Sequence, residues 1–149
     1  MSQHCATIRW NRESPEFTYD SYNRAHQWEF DAGIEVAASS APAYLGETDR
    51  VDPEEAFVAA LASCHMLTFL ALAAKKRIVV DSYTDEAVGF MEKNADGRLA
   101  ITRVTLRPRI DFGGTNRPSS DEIAKLHGTA HEHCFIANSV RTTVTVEAK

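Results

Sequence analysis

The chain has 149 residues, enough for one domain with a real core, and its 44% hydrophobic and 25% charged residues are ordinary for a globular protein. Its 16 Lys and Arg against 21 Asp and Glu leave a formal charge of −5, which excludes the basic footprint of a nucleic-acid binder. Three widely spaced cysteines exclude a secreted disulfide framework, and residues 1–17 lack the apolar stretch of a signal peptide, so a cytoplasmic protein with free thiols is expected.

Residues 5–11 (CATIRWN) alternate loosely and predict a strand, with Cys5 on it in an incidental role. Residues 12–15 form a turn, and residues 17–19 are read as the returning strand. Residues 22–30, the turn Asp31-Ala32-Gly33 and residues 34–38 predict a hairpin. Residues 39–51 hold Pro42 and Gly46, lack periodicity and read as a surface loop.

Residues 52–76 (DPEEAFVAALASCHMLTFLALAAKK) predict a single long helix. Asp52 is a good N-cap and Pro53 suits the first helical position. Glu54 and Glu55 oppose the positive end of the helix dipole, Glu55 closing a capping box, and Lys75, Lys76 and Arg77 sit at the negative end. Residues 56–74 are apolar almost all round, which predicts burial on most faces. The stretch is also long enough for a membrane span. Its alanine content, and Ser63, His65 and Thr68 at its centre, where polar groups are costly in lipid, favour a core helix and no membrane. Cys64 lies in its middle.

Residues 78–91 and 99–112 are strand-like and flank the turn signal Asn94-Ala95-Asp96-Gly97, so a long antiparallel hairpin is expected, with Pro108 at an edge or bulge. Ser119 to Glu122 form a second capping box. Ile123, Leu126, Ala130 and Cys134 then fall on one helical face, placing Cys134 at its core-facing end. Residues 140–146 alternate as a final strand. The order predicts an α+β fold, helices packed on antiparallel sheet, in one domain over residues 1–149.

Cys64 and Cys134 both lie on core-facing helical stretches. If those helices pack together, one thiolate can attack an electrophile and the other can attack the resulting sulfur to close a disulfide. Spacing alone leaves two buried, inert cysteines as the plainer reading. His127 and His131, at i and i+4, with Cys134 offer N, N and S on one face, to which Cys64 or His65 would add a fourth metal ligand. A helix end rich in histidine is also simply a good place for partial positive charge, so no metal is assigned. His65 points about 100° away from Cys64 on a helix and is not a direct base for it.

The segment DPEEAFVAALASCHMLTFLAL resembles the first signature of the OsmC/Ohr family, the osmotically inducible and organic hydroperoxide resistance proteins: Pro53 and Glu54, an Ala-rich stretch, then Cys64. AHEHCFIANSV around Cys134 resembles the second. The element order agrees from end to end. The resemblance implies antiparallel sheets packed around a long central helix in an intertwined homodimer. It also implies hydroperoxide reduction by a peroxidatic Cys64 and a resolving Cys134, without cofactor, renewed by an external dithiol. Glu54 matches the family's active-site glutamate, and Arg24 is the best match for the arginine it pairs with; Arg12 and Arg50 are the other choices.

On one straight helix Glu54 lies roughly 15 Å from Cys64, so it reaches a thiol only if the helix breaks or a partner chain supplies it. A buried thiol needs a cationic neighbour to ionise near neutral pH, the role assigned to Arg24, with Glu54 holding the guanidinium. Phe57, Met66, Phe69, Phe135 and Trp28 would line an apolar pocket for an organic peroxide. The chain departs from the family at Phe135, where members commonly carry Pro. The alternative is a non-catalytic OsmC-like dimer that binds a small molecule or a metal.

Overall fold

The long helix starts where its capping residues require. In the computed structural model, which describes residues 1–149, the Asp52 carboxylate accepts from the Glu55 N–H at 2.7 Å and the Glu55 carboxylate accepts from the Asp52 N–H at 3.2 Å. Helix α1 then runs over Pro53–Lys75. It ends as Arg77 turns left-handed (φ 57°), letting the Ile78 N–H donate to the Ala73 carbonyl at 3.0 Å. The Asn116 side-chain amide donates to the last two free carbonyls, of Lys76 and Arg77.

The chain forms two compact units, Met1–Ala56 and Phe57–Lys149. In the first, β1 (Thr7–Arg9), β2 (His26–Glu29) and β3 (Glu35–Ala38) make an antiparallel sheet in the order β1-β2-β3. The β2–β3 hairpin is as expected, turning through Ala32 and Gly33 at positive φ. Two expectations fail here. Residues 17–19 are not a strand, because β1 pairs directly with β2 and leaves them no partner. Cys5 is exposed ahead of β1 rather than on it. In the loop 39–51, Ser39 donates its N–H to Val51, and Val51 donates to Ala37.

The second unit holds the rest of α1, five strands and a second helix. β4 (Val80–Asp85) pairs with β7 (Pro108–Phe112), and β5 (Val88–Lys93) with β6 (Leu99–Leu106), both antiparallel. Asp85 opposite Pro108 and Val88 opposite Thr105 keep one register, so this is the expected long hairpin, broken in two at its middle. Pro108 opens β7 in a two-stranded sheet, where its missing N–H is tolerated. Helix α2 (Ser120–His133) carries the expected capping box at Ser119 and Glu122, with Cys134 as its C-cap. β8 (Thr143–Val146) is shorter than expected and lies parallel to β6. The sheet is therefore mixed, because α2 carries the chain back to the end from which β6 started.

One stripe of α1 is buried: Leu61, His65, Phe69 and Ala73, four residues apart. Leu67, on another face, is 60% exposed. Burial on most faces is therefore corrected for the single chain, since α2 and the strands of this unit cover only one side. Leu61 packs with Val104 and Leu106 and with half-buried Val144 and Val146, on the β5-β6-β8 sheet. Phe69 and Ala73 pack with Leu126 and Ala130 of α2 and with Tyr83, Ile110 and Phe112 of the β4–β7 pair. Gly89 lets β5 approach α1 closely, since a Cβ there would meet the Val58 methyl at 2.5 Å. His65 lies along the stripe between these two apolar clusters.

Candidate functional site

Cys64 sits beside the buried stripe of α1, one residue before His65, and is half-buried, and Cys134 closes α2 and is fully buried. Both are free thiols. Burial pushes the Cys134 thiol above its usual pKa, and the nearby Cys64 thiol raises it further. The Ala137 N–H donates to Cys134 Sγ at 3.4 Å and acts in the opposite direction. Two cysteines far apart in the chain thus meet because α2 packs on α1.

Beside them lies a feature that the sequence reading left unassigned. His65 Nε2 and His127 Nδ1 are 3.0 Å apart, with ring centroids 5.3 Å apart and 9° between planes, so the two rings meet edge to edge. Both rings are buried, and Phe69 packs on His127 with centroids 4.5 Å apart. Burial lowers the His65 pKa to about 4, with His127 and His131 adding to the shift, and burial lowers that of His127. The sequence did carry a signal: His65 interrupts an otherwise apolar i, i+4 stripe, and such a residue is buried with it. The three ligands pictured on α2 do not converge, since no group of three or more His, Cys, Asp or Glu side chains is placed to hold a metal ion.

The other site residues are dispersed. In the first unit Arg24 is buried and its guanidinium donates to the carbonyls of Tyr22, at 2.6 Å, and Tyr19. It lies 3.7 Å over the Tyr22 ring. Glu54 is half-buried in the first turn of α1, and no ion pair joins it to Arg24 within the chain. Trp28 is half-buried and donates its indole N–H to His26 at 2.9 Å. In the second unit Phe57 packs in the cluster around Leu61, and Met66 is half-buried. Phe69 is core, fully buried among α2 and strand residues, and Phe135 is 81% exposed. A groove of about 390 Å³ lies elsewhere, between Leu72 and Lys76 of α1 and Glu122 to Glu132 of α2.

Comparison with known proteins covers the chain well. The family model described as OsmC-like protein matches residues 46–149. An OsmC-like protein of unknown function from Vibrio cholerae O1 biovar eltor str. N16961 is 51% identical over 100% of both chains, with a TM-score of 0.97. The organic hydroperoxide resistance protein OhrB of Bacillus subtilis is 23% identical over 99% of this chain and 98% of its own, with a TM-score of 0.71. An organic hydroperoxide resistance protein OsmC from Legionella pneumophila is 19% identical over 99% and 96%, also at 0.71. At those identities the last two share the fold. No curated protein matches the chain. The helix α1 passes the length and apolarity test for a membrane span, yet its buried stripe packs on α2 and the sheets, as a core helix does. With the family model matched over most of its length and a relative half identical from end to end, the chain belongs to the OsmC-like family.

Proposed function

We propose that this protein is a cytoplasmic thiol-dependent peroxidase that reduces organic hydroperoxides, with Cys64 peroxidatic and Cys134 resolving. One observation supports this most: Cys64 and Cys134, distant in sequence, lie near enough across two packed helices for the Cys64 thiol to raise the Cys134 pKa. The Cys64 thiolate attacks the distal peroxide oxygen, the O–O bond breaks, and an alcohol leaves after taking a proton. The resulting sulfenic acid is attacked by Cys134, water departs, and a disulfide remains. An external dithiol then reduces it by exchange. The raised pKa of Cys134 fits the second role, since a thiol held protonated waits while Cys64 reacts.

A homodimer belongs to this reading. The uncovered apolar side of α1, with Leu67 exposed, is the face a second chain would cover. A partner chain would supply Glu54, which would pair with Arg24 beside Cys64. Arg24 has spare N–H donors for this, because its two carbonyl bonds use only two of five. Phe57, Met66 and Trp28 remain candidates for the substrate pocket.

The test is to treat reduced protein with one equivalent of an organic hydroperoxide and map disulfides by mass spectrometry. A Cys64–Cys134 bridge within one chain is expected. No oxidation, or oxidation confined to Cys5, would sink the reading and leave a non-catalytic dimer that binds a small molecule or metal.

A further inference from the structure

Contacts between α1 and α2 run in opposite chain directions. Cys64 meets Cys134, whereas His65 and Phe69, further along α1, meet His127, further back on α2. The thiol pair and the imidazole pair are thus two contacts in the seam of α1 with α2, one residue apart on α1 and seven residues apart on α2. The thiol contact carries no covalent bond when reduced. The imidazole contact is a directed hydrogen bond between two buried rings at 3.0 Å.

We propose that His65 and His127 are positioning residues, a proton-sensitive latch that keeps the end of α2, and with it Cys134, against Cys64. The proposal rests on the dithiol reading above. Four ring nitrogens share the protons of the pair. With two protons, or three, one hydrogen lies between the facing Nε2 and Nδ1 and the bond holds. With four, both facing nitrogens carry hydrogen and the bond is lost, leaving two like charges at 3.0 Å.

The groups around the latch make it respond to acid. On α2, His131 acts on His65 with the same sign as His127 does. On α1, Phe69 closes the other side without charge. Behind Phe69, β4 brings Tyr83 and Asp85; the Tyr83 hydroxyl and one Asp85 oxygen have no hydrogen-bond partner, and neither residue pairs with the imidazoles. Cys64 and Cys134 act on each other, and Lys76, Glu122, Lys125 and Glu132 line the groove along the same two helices without a hydrogen bond to either ring. No carboxylate is hydrogen-bonded to either ring to offset an added proton. Acid therefore opens the seam in the reduced protein, whereas a disulfide holds it shut.

Exchange with glutathione measures this without peroxide. Two protein thiols and one glutathione disulfide give one protein disulfide and two glutathione thiols. Below the thiol pKa values no proton is taken up or released, so any pH dependence of the equilibrium reports linked groups. The reduced state alone opens and binds protons, so the equilibrium constant must fall as pH falls. In the wild-type protein a fall of tenfold or more between pH 6.5 and 4.5 is expected, read by acid quench and mass spectrometry. His127→Phe, which keeps a packed ring without a titrating group or the hydrogen bond, should flatten the profile. A flat wild-type profile, which needs no variant, overturns the latch, as does an equal slope in His127→Phe. No Cys64–Cys134 bridge at any glutathione ratio would instead refute the dithiol reading and the latch together.

Discussion

Lowering the pH from 7.5 should weaken the fold through His65. The ring is 1% exposed, and its pKa falls from 6.5 to about 4 through burial first, then through His127 and His131. Above pH 6.5 the ring is neutral in both folded and unfolded chains, and nothing is lost. Between 6.5 and about 4 the unfolded chain binds a proton that the folded chain refuses while the α1–α2 seam is closed, so stability falls with pH. Two and a half pK units at about 1.4 kcal/mol each limit the loss to roughly 3 kcal/mol. About 1.3 kcal/mol of it should be gone by pH 5.5, and about 2.5 kcal/mol by pH 4.5. His127 shifts the same way and steepens the loss. The carboxylates with lowered pKa, Glu86, Glu92 and Glu122, lose their contribution only below the usual carboxylate range, whereas burial raises the Asp85 pKa, so the folded chain takes up that proton first and offsets part of the histidine loss. Urea unfolding followed by circular dichroism at pH 7.5, 6.5, 5.5 and 5.0 measures the slope. His65→Leu should remove most of it. Equal slopes in wild type and His65→Leu would refute the account, as would a wild-type midpoint constant across the window.

Cys64→Ser should abolish peroxidase activity completely, and Cys134→Ser should leave one turnover or overoxidation of Cys64; steady multiple-turnover activity in Cys64→Ser counts against the mechanism. Phe69→Ala removes a ring with no exposure that packs on both Tyr83 and His127, and should cost about 3–5 kcal/mol in urea unfolding. Ser119→Ala takes away the hydroxyl that accepts from the Glu122 N–H, and should lower stability by about 1 kcal/mol. Gly46→Ala should disturb the loop before α1, because a Cβ there would fall 1.5 Å from the Ser40 carbonyl oxygen; an unchanged melting temperature would show that the loop relaxes freely.

The elements with strong local signals were legible from sequence. Both capping boxes, the 31–33 turn and the long hairpin follow from side-chain chemistry within a few residues of one another. The failures depend on partners distant in the chain. Residues 17–19 have strand composition, but β2 takes β1 as its neighbour and leaves them unpaired. Parallel pairing of β8 with β6 has no local signature, since it is set by where α2 returns the chain. The face of Ile123, Leu126, Ala130 and Cys134 foretold that Cys134 would be buried, but nothing in spacing showed which residue it would meet. His65 was read as a neighbour of Cys64, a polar residue mid-helix and a possible fourth metal ligand, and its i, i+4 relation to Leu61 and Phe69 held the better information.

The parallel strand has a consequence for how the thiol pair comes into being. Helix α2 is part of the excursion between β6 and β8, so Cys134 sits inside a connection that closes only when β8 docks. Strand pairing over such a separation is slow, because chain entropy is surrendered before the contacts compensate for it. During synthesis Cys64 emerges and becomes helical long before its counterpart is held anywhere near. An early oxidant therefore meets a solitary thiol, and only the finished chain meets an oxidant with two. On the proposed dithiol mechanism, rapid formation of the bridge would mark maturation, and a chain trapped without its last strand would be recognisable by the sulfenic acid it accumulates.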